Sequence, residues 1–300
     1  MKIKLILFFF ITLSLSNNAW SFSCKTARGS TVPIGGGSDI VLVTLTPELQ
    51  QGQNLVVDLS SQIFCRNDYP ADYIDYVTLS SGSAYQGVLT NFSGTVNYNG
   101  MSYPFPTTSE TSRIVYNSKN YSGWPVKLYL TPTNTAGGVV IKAGTEIATL
   151  NLRQKNNKNS DDFTFQWRIF SINDVTVPTG SCDVSSRNIN ITLPNYPQSA
   201  TIPLNIHCTK NQSVGFYLTG NTIDAANSIF KNTASSSPAD GVGIKITRDG
   251  ISLPVNTIVK LGNVTTTPLS LGLQANYERV GGGITAGNVQ SIVGVNFVYQ

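Results

Sequence analysis

Two short stretches of this 300-residue chain concentrate side chains able to do polar chemistry. One runs from Arg66, Asn67, Asp68 and Tyr69 to Asp75; the other is Gln154, Lys155, Asn156, Asn157, Lys158, Asn159, Ser160, Asp161 and Asp162. Both mix amides with carboxylates. An amide donates and accepts while a carboxylate only accepts, so a set of the two matches sugar hydroxyls, each of which does both. Neighbouring aromatics then cover the apolar faces of the sugar. The same residue types also make turns, because Asn and Asp bond their own backbone, and that reading stands beside the first. A third is open too: paired carboxylates at ~5 to 10 Å can cleave a glycosidic bond. Nothing in the sequence marks one of these acids as the proton donor such cleavage needs.

Other chemistries lack material. With His207 the single histidine and four cysteines in all, Cys/His zinc sites and histidine acid–base catalysis are disfavoured. Asp161 and Asp162 fall short of the oxygen crowd calcium requires, and the spaced acidic loop pattern is missing. Gly35, Gly36 and Gly37 are not followed by the Lys and Ser/Thr of a phosphate loop and read as a flexible loop. No metal and no cofactor is expected.

The elements that must position these residues are strands. Only 12% of residues are charged, about half the ~25% of an average protein, while Gly, Tyr and Phe are plentiful. Segments 40–45, 54–59, 88–98, 126–130, 147–154 and 163–171 are rich in Val, Ile, Thr and aromatics and are bounded by Gly, Pro, Asn or Ser. In the last, Phe163, Phe165, Trp167 and Ile169 share one face and Thr164, Gln166 and Arg168 the other. After Pro178, Thr179, Gly180 and Ser181 the pattern resumes over 188–193, 202–208, 215–218, 243–247, 269–277 and 289–299. The expectation is an all-β protein of two β-sandwiches in series, 22–177 and 182–300, joined by a linker at 178–181. The final strand, with Val293, Val295, Phe297 and Tyr299 on one face, runs almost to Gln300 without a polar tail. A terminus of that kind expects another chain to pair with it.

Residues 1–21 read as a secretory signal peptide: Lys2 and Lys4, an apolar run from Leu5 to Leu15, then Ala19, Trp20 and Ser21 before the cut. Without those two lysines the formal charge falls from +4 to +2, and with no basic run electrostatics disfavour nucleic acid as a partner. The four cysteines lie in an exported chain and should form two disulfides. Three pairings are possible, and sequence proximity favours Cys24 with Cys65 and Cys182 with Cys208.

Long strings of the chain resemble a known family. Phe22-Ser23-Cys24-Lys25-Thr26-Ala27, Pro33-Ile34-Gly35-Gly36-Gly37-Ser38, Gly52-Gln53-Asn54-Leu55-Val56-Val57-Asp58-Leu59 and Asn67-Asp68-Tyr69-Pro70 are four of them. Tyr103-Pro104-Phe105-Pro106-Thr107-Thr108-Ser109-Glu110-Thr111 and Thr285-Ala286-Gly287-Asn288-Val289-Gln290-Ser291-Ile292 are two more. They are similar to the mannose-specific tip adhesins of chaperone–usher pili, from the signal peptide to Gln300.

The resemblance implies an N-terminal lectin domain and a C-terminal pilin domain whose immunoglobulin-like fold lacks a strand. It implies mannose binding by Phe22, through its free α-amine and backbone, with Asp68, Asp75, Gln154, Asn156 and Asp161. Asn67, Asn159 and Phe163 would support the pocket, and Ile34 and Tyr69 would line its rim. Two rim positions depart from the family, with Tyr73 for an isoleucine and Lys158 for a tyrosine, which bears on oligomannoside and aryl aglycone preference. The implied partners are mannosylated host glycoproteins, a periplasmic chaperone, an outer-membrane usher and the adjacent minor pilus subunit. Gly287, Val293, Val295, Phe297, Tyr299 and Gln300 would carry the chaperone or donor-strand contact. The implied place is the fimbrial tip on the cell surface, and the implied regulation is weakening of affinity by contact of segments 48–54, 133–139 and 178–181 with the pilin domain. A secreted glycan hydrolase and a purely structural pilin are the competing readings.

Overall fold

A computed structural model describes residues 21–133, 138–158 and 162–300. The expected signal peptide, apart from Ser21, the expected ligand Asp161 and the expected pocket support Asn159 lie outside the described residues. Within them the chain is built from strands, with two 3-10 turns at Leu59–Ser61 and Gly87–Leu89 and no α-helix. No helix among the described residues is long and apolar enough to cross a membrane. Buried apolar side chains form two separate clusters, one between Phe22 and Val177 and one between Cys182 and Ala275. Each carries a disulfide, Cys24–Cys65 and Cys182–Cys208, the pairing that proximity favoured.

Around the first cluster, one sheet orders the strands Ile114–Tyr116, Asp75–Leu79, Glu146–Asn156, Asp162–Ser171 and Gly37–Val43, the last pair parallel. A second sheet places Phe22–Thr26 between Ile63–Asn67 and Thr31–Val32. A five-stranded sheet holding Gln53–Asp58 and Val126–Leu130 packs against this core. Trp124 and Trp167, both buried, meet edge to face at 4.8 Å, and the Trp167 indole N–H donates to Pro33 O at 2.7 Å.

Strand alternation determines where the polar residues go. Leu150 and Leu152 point into the core, and Gln154 and Asn156, in phase with them, continue the same buried row. On the neighbouring strand Leu79 and Val77 lead to buried Asp75, and on a third Ile63 and Cys65 lead to buried Asn67. The register opposes Leu152 to Leu79, Gln154 to Val77 and Asn156 to Asp75. Rows that are apolar through the core thus all turn polar at one end of the sandwich.

Several expected strands are shorter or absent. Of 88–98 only Gly94–Tyr98 is a strand, because the chain before it makes the Gly87–Leu89 turn, with Gly87 at φ +58 and no room for a Cβ beside Glu146 O. Segment 269–277 breaks around Gly272 at φ +65, and 289–299 becomes ladder only at Val293–Tyr299. Segment 188–193 pairs with nothing among the described residues despite its alternating Ile189, Ile191 and Leu193.

Candidate functional site

Five strand ends, at Phe22, Asn67, Asp75, Tyr116 and Asn156, converge with their loops at the polar end of the first sandwich. Phe22 opens its strand opposite Asn67, is 1% exposed, and sets its ring 5.1 Å from that of Tyr116. Tyr116 in turn lies opposite Asp75 in the ladder, so Asp75 stands between Tyr116 on one side and Asn156 on the other. Asp75 Oδ1 accepts from Gln154 Nε2 at 3.0 Å and from the Ser21 hydroxyl at 2.5 Å. Phe22, Asn67, Asp75, Gln154 and Asn156 are all buried, and Asp68 is half-buried.

Asn67 positions rather than presents. Its Nδ2 donates to Tyr73 O at 2.8 Å and Tyr116 O at 3.2 Å, while its Oδ1 accepts from Tyr69 N at 2.7 Å. The loop between Tyr69 and Tyr73 is closed further by Tyr73 N on Tyr69 O. Asp68 N donates to Ser21 O at 2.6 Å, and its carboxylate pairs with Arg66 at 2.7 Å. Across the mouth, Lys158 N donates to Asn156 Oδ1, and Asn157 clamps Ile74 by two bonds of 2.9 and 3.0 Å. Tyr69 and Lys158 are exposed and Tyr73 half-buried. Ile34 and Phe163 pack on the core from its margin.

Charges near the mouth are largely neutralised in place. Asp162, at the start of its strand, is held down at about 2 by paired hydrogen bonds from Arg153, with Lys155 adding its charge. Burial pushes the Tyr116 phenol well above its ordinary value, so it stays neutral beside Phe22. No group of three or more His, Cys, Asp or Glu suited to a metal occurs among the described residues. A cluster of buried amides around one buried carboxylate offers the donors and acceptors that hydroxyl groups match, and the Ser21 hydroxyl on Asp75 is one such bond.

A second feature lies in the C-terminal sandwich. The strand Val293–Tyr299 pairs along Gln212–Gly220, from Gly220 opposite Val293 to Val214 opposite Tyr299, and is the edge of its sheet. Across from it runs the unpaired segment 188–193, and between them opens a groove of about 910 Å³ lined by Ile189, Ile191, Leu204, Leu218, Ile246 and Phe297. All seven residues of the terminal strand are only half-buried. Gly287, expected at the partner contact, packs against the backbone from Ser237 to Ala239, where a Cβ would approach to 2.5 Å. Tyr299 directs its hydroxyl inward, accepting from Cys182 N at 3.1 Å.

Comparison with known proteins decides the family. A family model described as "FimH, mannose binding" matches residues 24–168 and one described as "Fimbrial protein" matches 172–300. Over all 300 residues, and 100% of both chains, the sequence is 63% identical to the "Type 1 fimbrin D-mannose specific adhesin" of Escherichia coli strain K12. The chain belongs to the type 1 fimbrial adhesin family. It is also 33% identical over 271 residues, 86% of this chain and 90% of the other, to "S-fimbrial protein subunit SfaH" of Escherichia coli O6:K15:H31. Among solved structures it resembles the CsuC-CsuE chaperone-tip adhesion subunit complex of Acinetobacter baumannii at 12% identity, 92% and 99% coverage and TM-score 0.31, too loose a likeness to carry an argument.

For this member of the adhesin family, sequence reasoning missed three contributors. Tyr116 needed the ladder register with Asp75, and Ser21 needed the fold that brings it to the same carboxylate. Asn157 was visible inside the amide-rich run, but its clamp on Ile74 was not.

Proposed function

We propose that the mature chain, beginning at Phe22, is a non-enzymatic lectin that binds terminal α-mannose on host glycoproteins from a fimbrial tip at the cell surface. The carrying observation is the convergence of Phe22, Asn67, Asp75, Gln154 and Asn156 in one buried polar end, with Asp75 already accepting a hydroxyl. Family membership supports the sugar's identity. Cleavage after Ser21 removes the hydroxyl from Asp75 and leaves an α-ammonium on Phe22, a charge-assisted donor for a sugar oxygen. Asp75, Gln154 and Asn156, with Asp68 and Asp161, then bond the remaining hydroxyls. Asn67, Asn159 and Phe163 support the pocket, and Ile34, Tyr69, Tyr73 and Lys158 form its rim.

The proposed division is a lectin domain at 22–177, a linker at 178–181 and a pilin domain at 182–300. The groove beside Val293–Tyr299 takes a donor strand, first from a periplasmic chaperone and then, past an outer-membrane usher, from the adjacent pilus subunit. Segment 188–193 has the alternation of a strand and lacks only this neighbour. The linker is gripped from the lectin side: Asn54 Nδ2 donates to Pro178 O at 2.9 Å and Gly180 O at 2.8 Å, and Thr133 N donates to Thr179 O at 2.6 Å. Release of that grip under pulling force is the proposed route to tighter mannose binding.

The test is a glycan screen of the mature full-length chain with reducing-sugar release followed in the same tube. Mannose-inhibitable binding without release is the expected result. Release of sugar would favour the hydrolase reading, and absence of mannose binding would overturn the proposal.

A further inference from the structure

The mouth of the site carries an exposed cation with no carboxylate in ion pair with it among the described residues. The Lys158 ammonium stands 4.8 Å over the centroid of Tyr73. Its backbone is pinned by Asn156 Oδ1, and Asn157 ties its loop to Ile74, next to Tyr73. A cation held on an aromatic face is kept at the rim instead of sweeping through solvent. Of the acids nearby, Asp68 pairs with Arg66, Asp162 with Arg153 and Lys155, and Asp75 bonds Ser21 and Gln154 inside, while Asp72, exposed beside Tyr73, is in ion pair neither with Lys158 nor with any other cation among the described residues. Tyr73 lies two residues before buried Asp75 and Lys158 two residues after buried Asn156, so the pair stands on the two loops that border those ligand candidates.

We propose that Lys158, held on Tyr73, makes the rim select mannosides whose group outside the buried hexose carries negative charge, a carboxylate or a phosphate or sulfate ester. The inference rests on the mannose reading above and adds to it the class of the flanking group. Lys158 is thereby a specificity residue, acting on what is attached to the sugar. An exposed pair of this kind corresponds to about a two- to fivefold preference at low salt, and screening at 1 M salt, where the Debye length is ~3 Å, removes most of it.

Three probes differ only in the outer group: phenyl α-mannoside, 4-carboxyphenyl α-mannoside and 4-(aminomethyl)phenyl α-mannoside. Each is titrated into the mature full-length chain at low salt and at 1 M salt, and into Lys158→Met. Reading ratios between probes cancels any common change at the sugar floor. A second lysine serves as a control, because Lys119 is exposed on a loop joined to the site by Asn67 N on Ser118 O at 2.9 Å. The expected order is carboxylate over phenyl over ammonium, with the carboxylate-to-phenyl ratio falling to about one in high salt and in Lys158→Met but not in Lys119→Met. A ratio near one in the unsubstituted chain, or one abolished by Lys119→Met and kept in Lys158→Met, overturns the proposal while mannose binding stands. Failure of all three probes to bind the unsubstituted chain takes down both this inference and the mannose reading.

Discussion

Replacing Asn67 by alanine tests how the site is held without touching a group that faces the sugar. The side chain is fully buried and bonds three backbone groups, Tyr73 O, Tyr116 O and Tyr69 N. Water cannot reach Tyr116 O, whose residue is 4% exposed, so stranding it costs ~1–3 kcal/mol. The other two lie on a partly exposed loop and cost ~0.5–1 kcal/mol each once water takes part of the role. The sum is about 2 to 5 kcal/mol. Urea unfolding of a chain that starts at Phe22, followed by tryptophan fluorescence, isolates the relevant sandwich, because Trp124 and Trp167 are then the tryptophans present and both lie in the N-terminal cluster. With a slope of ~2 kcal/mol/M the midpoint should fall by about 1 to 2.5 M. Mannoside affinity should fall tenfold or more, since ~1.4 kcal/mol of misplacement suffices for that factor. Asn67→Asp keeps the acceptor but loses both donors and should do no better. Asn97→Ala, which removes one turn bond to Gly100 N, should leave both readings nearly unchanged. A midpoint within ~0.3 M of the unsubstituted chain, or lost stability with unchanged affinity, would refute the positioning role.

Asp75→Asn should abolish mannose-inhibitable agglutination while leaving the tryptophan unfolding curve close to the unsubstituted one, since the amide keeps the shape but loses the charge-assisted acceptor. Acid should weaken the fold. The Arg168 guanidinium holds Glu146 below its ordinary carboxylate value, and at Asp58 hydrogen bonds from Lys127 and Ser60 outweigh a burial that pushes it up. Depressed carboxylates contribute stability above their unfolded values of ~4.3 and ~3.9 that is lost as pH falls through the folded ones, so the unfolding midpoint should drop below about pH 4.5, and less so in Glu146→Gln. A fragment 182–300 produced without a partner should aggregate through its open groove, and a strand-forming donor peptide with alternating apolar residues should rescue it; size-exclusion chromatography reads the difference. Separating the domains by cutting the linker should tighten mannoside binding in calorimetry, because the Asn54 and Thr133 bonds to the linker are then lost.

Much of this was legible in residue patterns, and the failures have physical causes. Alternation in Asp162–Ser171 carried through because one face of the strand is buried by a core made within the same sandwich. It misled at 188–193, where the pattern is that of a strand but the ladder partner is not among the described residues. It also missed the turn at Gly87–Leu89, set by a close approach to Glu146 O that no local pattern announces. At the site, Gln154 and Asn156 were implied by the family resemblance, and their phase with Leu150 and Leu152 is what buries them. That Asp75 joins them depends on strand register between segments far apart in sequence. The contact of Ser21 with Asp75 depends on the whole sandwich.

The most direct measurement compares the mature chain starting at Phe22 with the same chain retaining Ser21, both titrated with methyl α-mannoside by calorimetry. With Ser21 in place its hydroxyl occupies Asp75 and no free amine exists at Phe22. The account predicts saturable binding by the first chain and none by the second. Equal binding by both, or by neither, would contradict it.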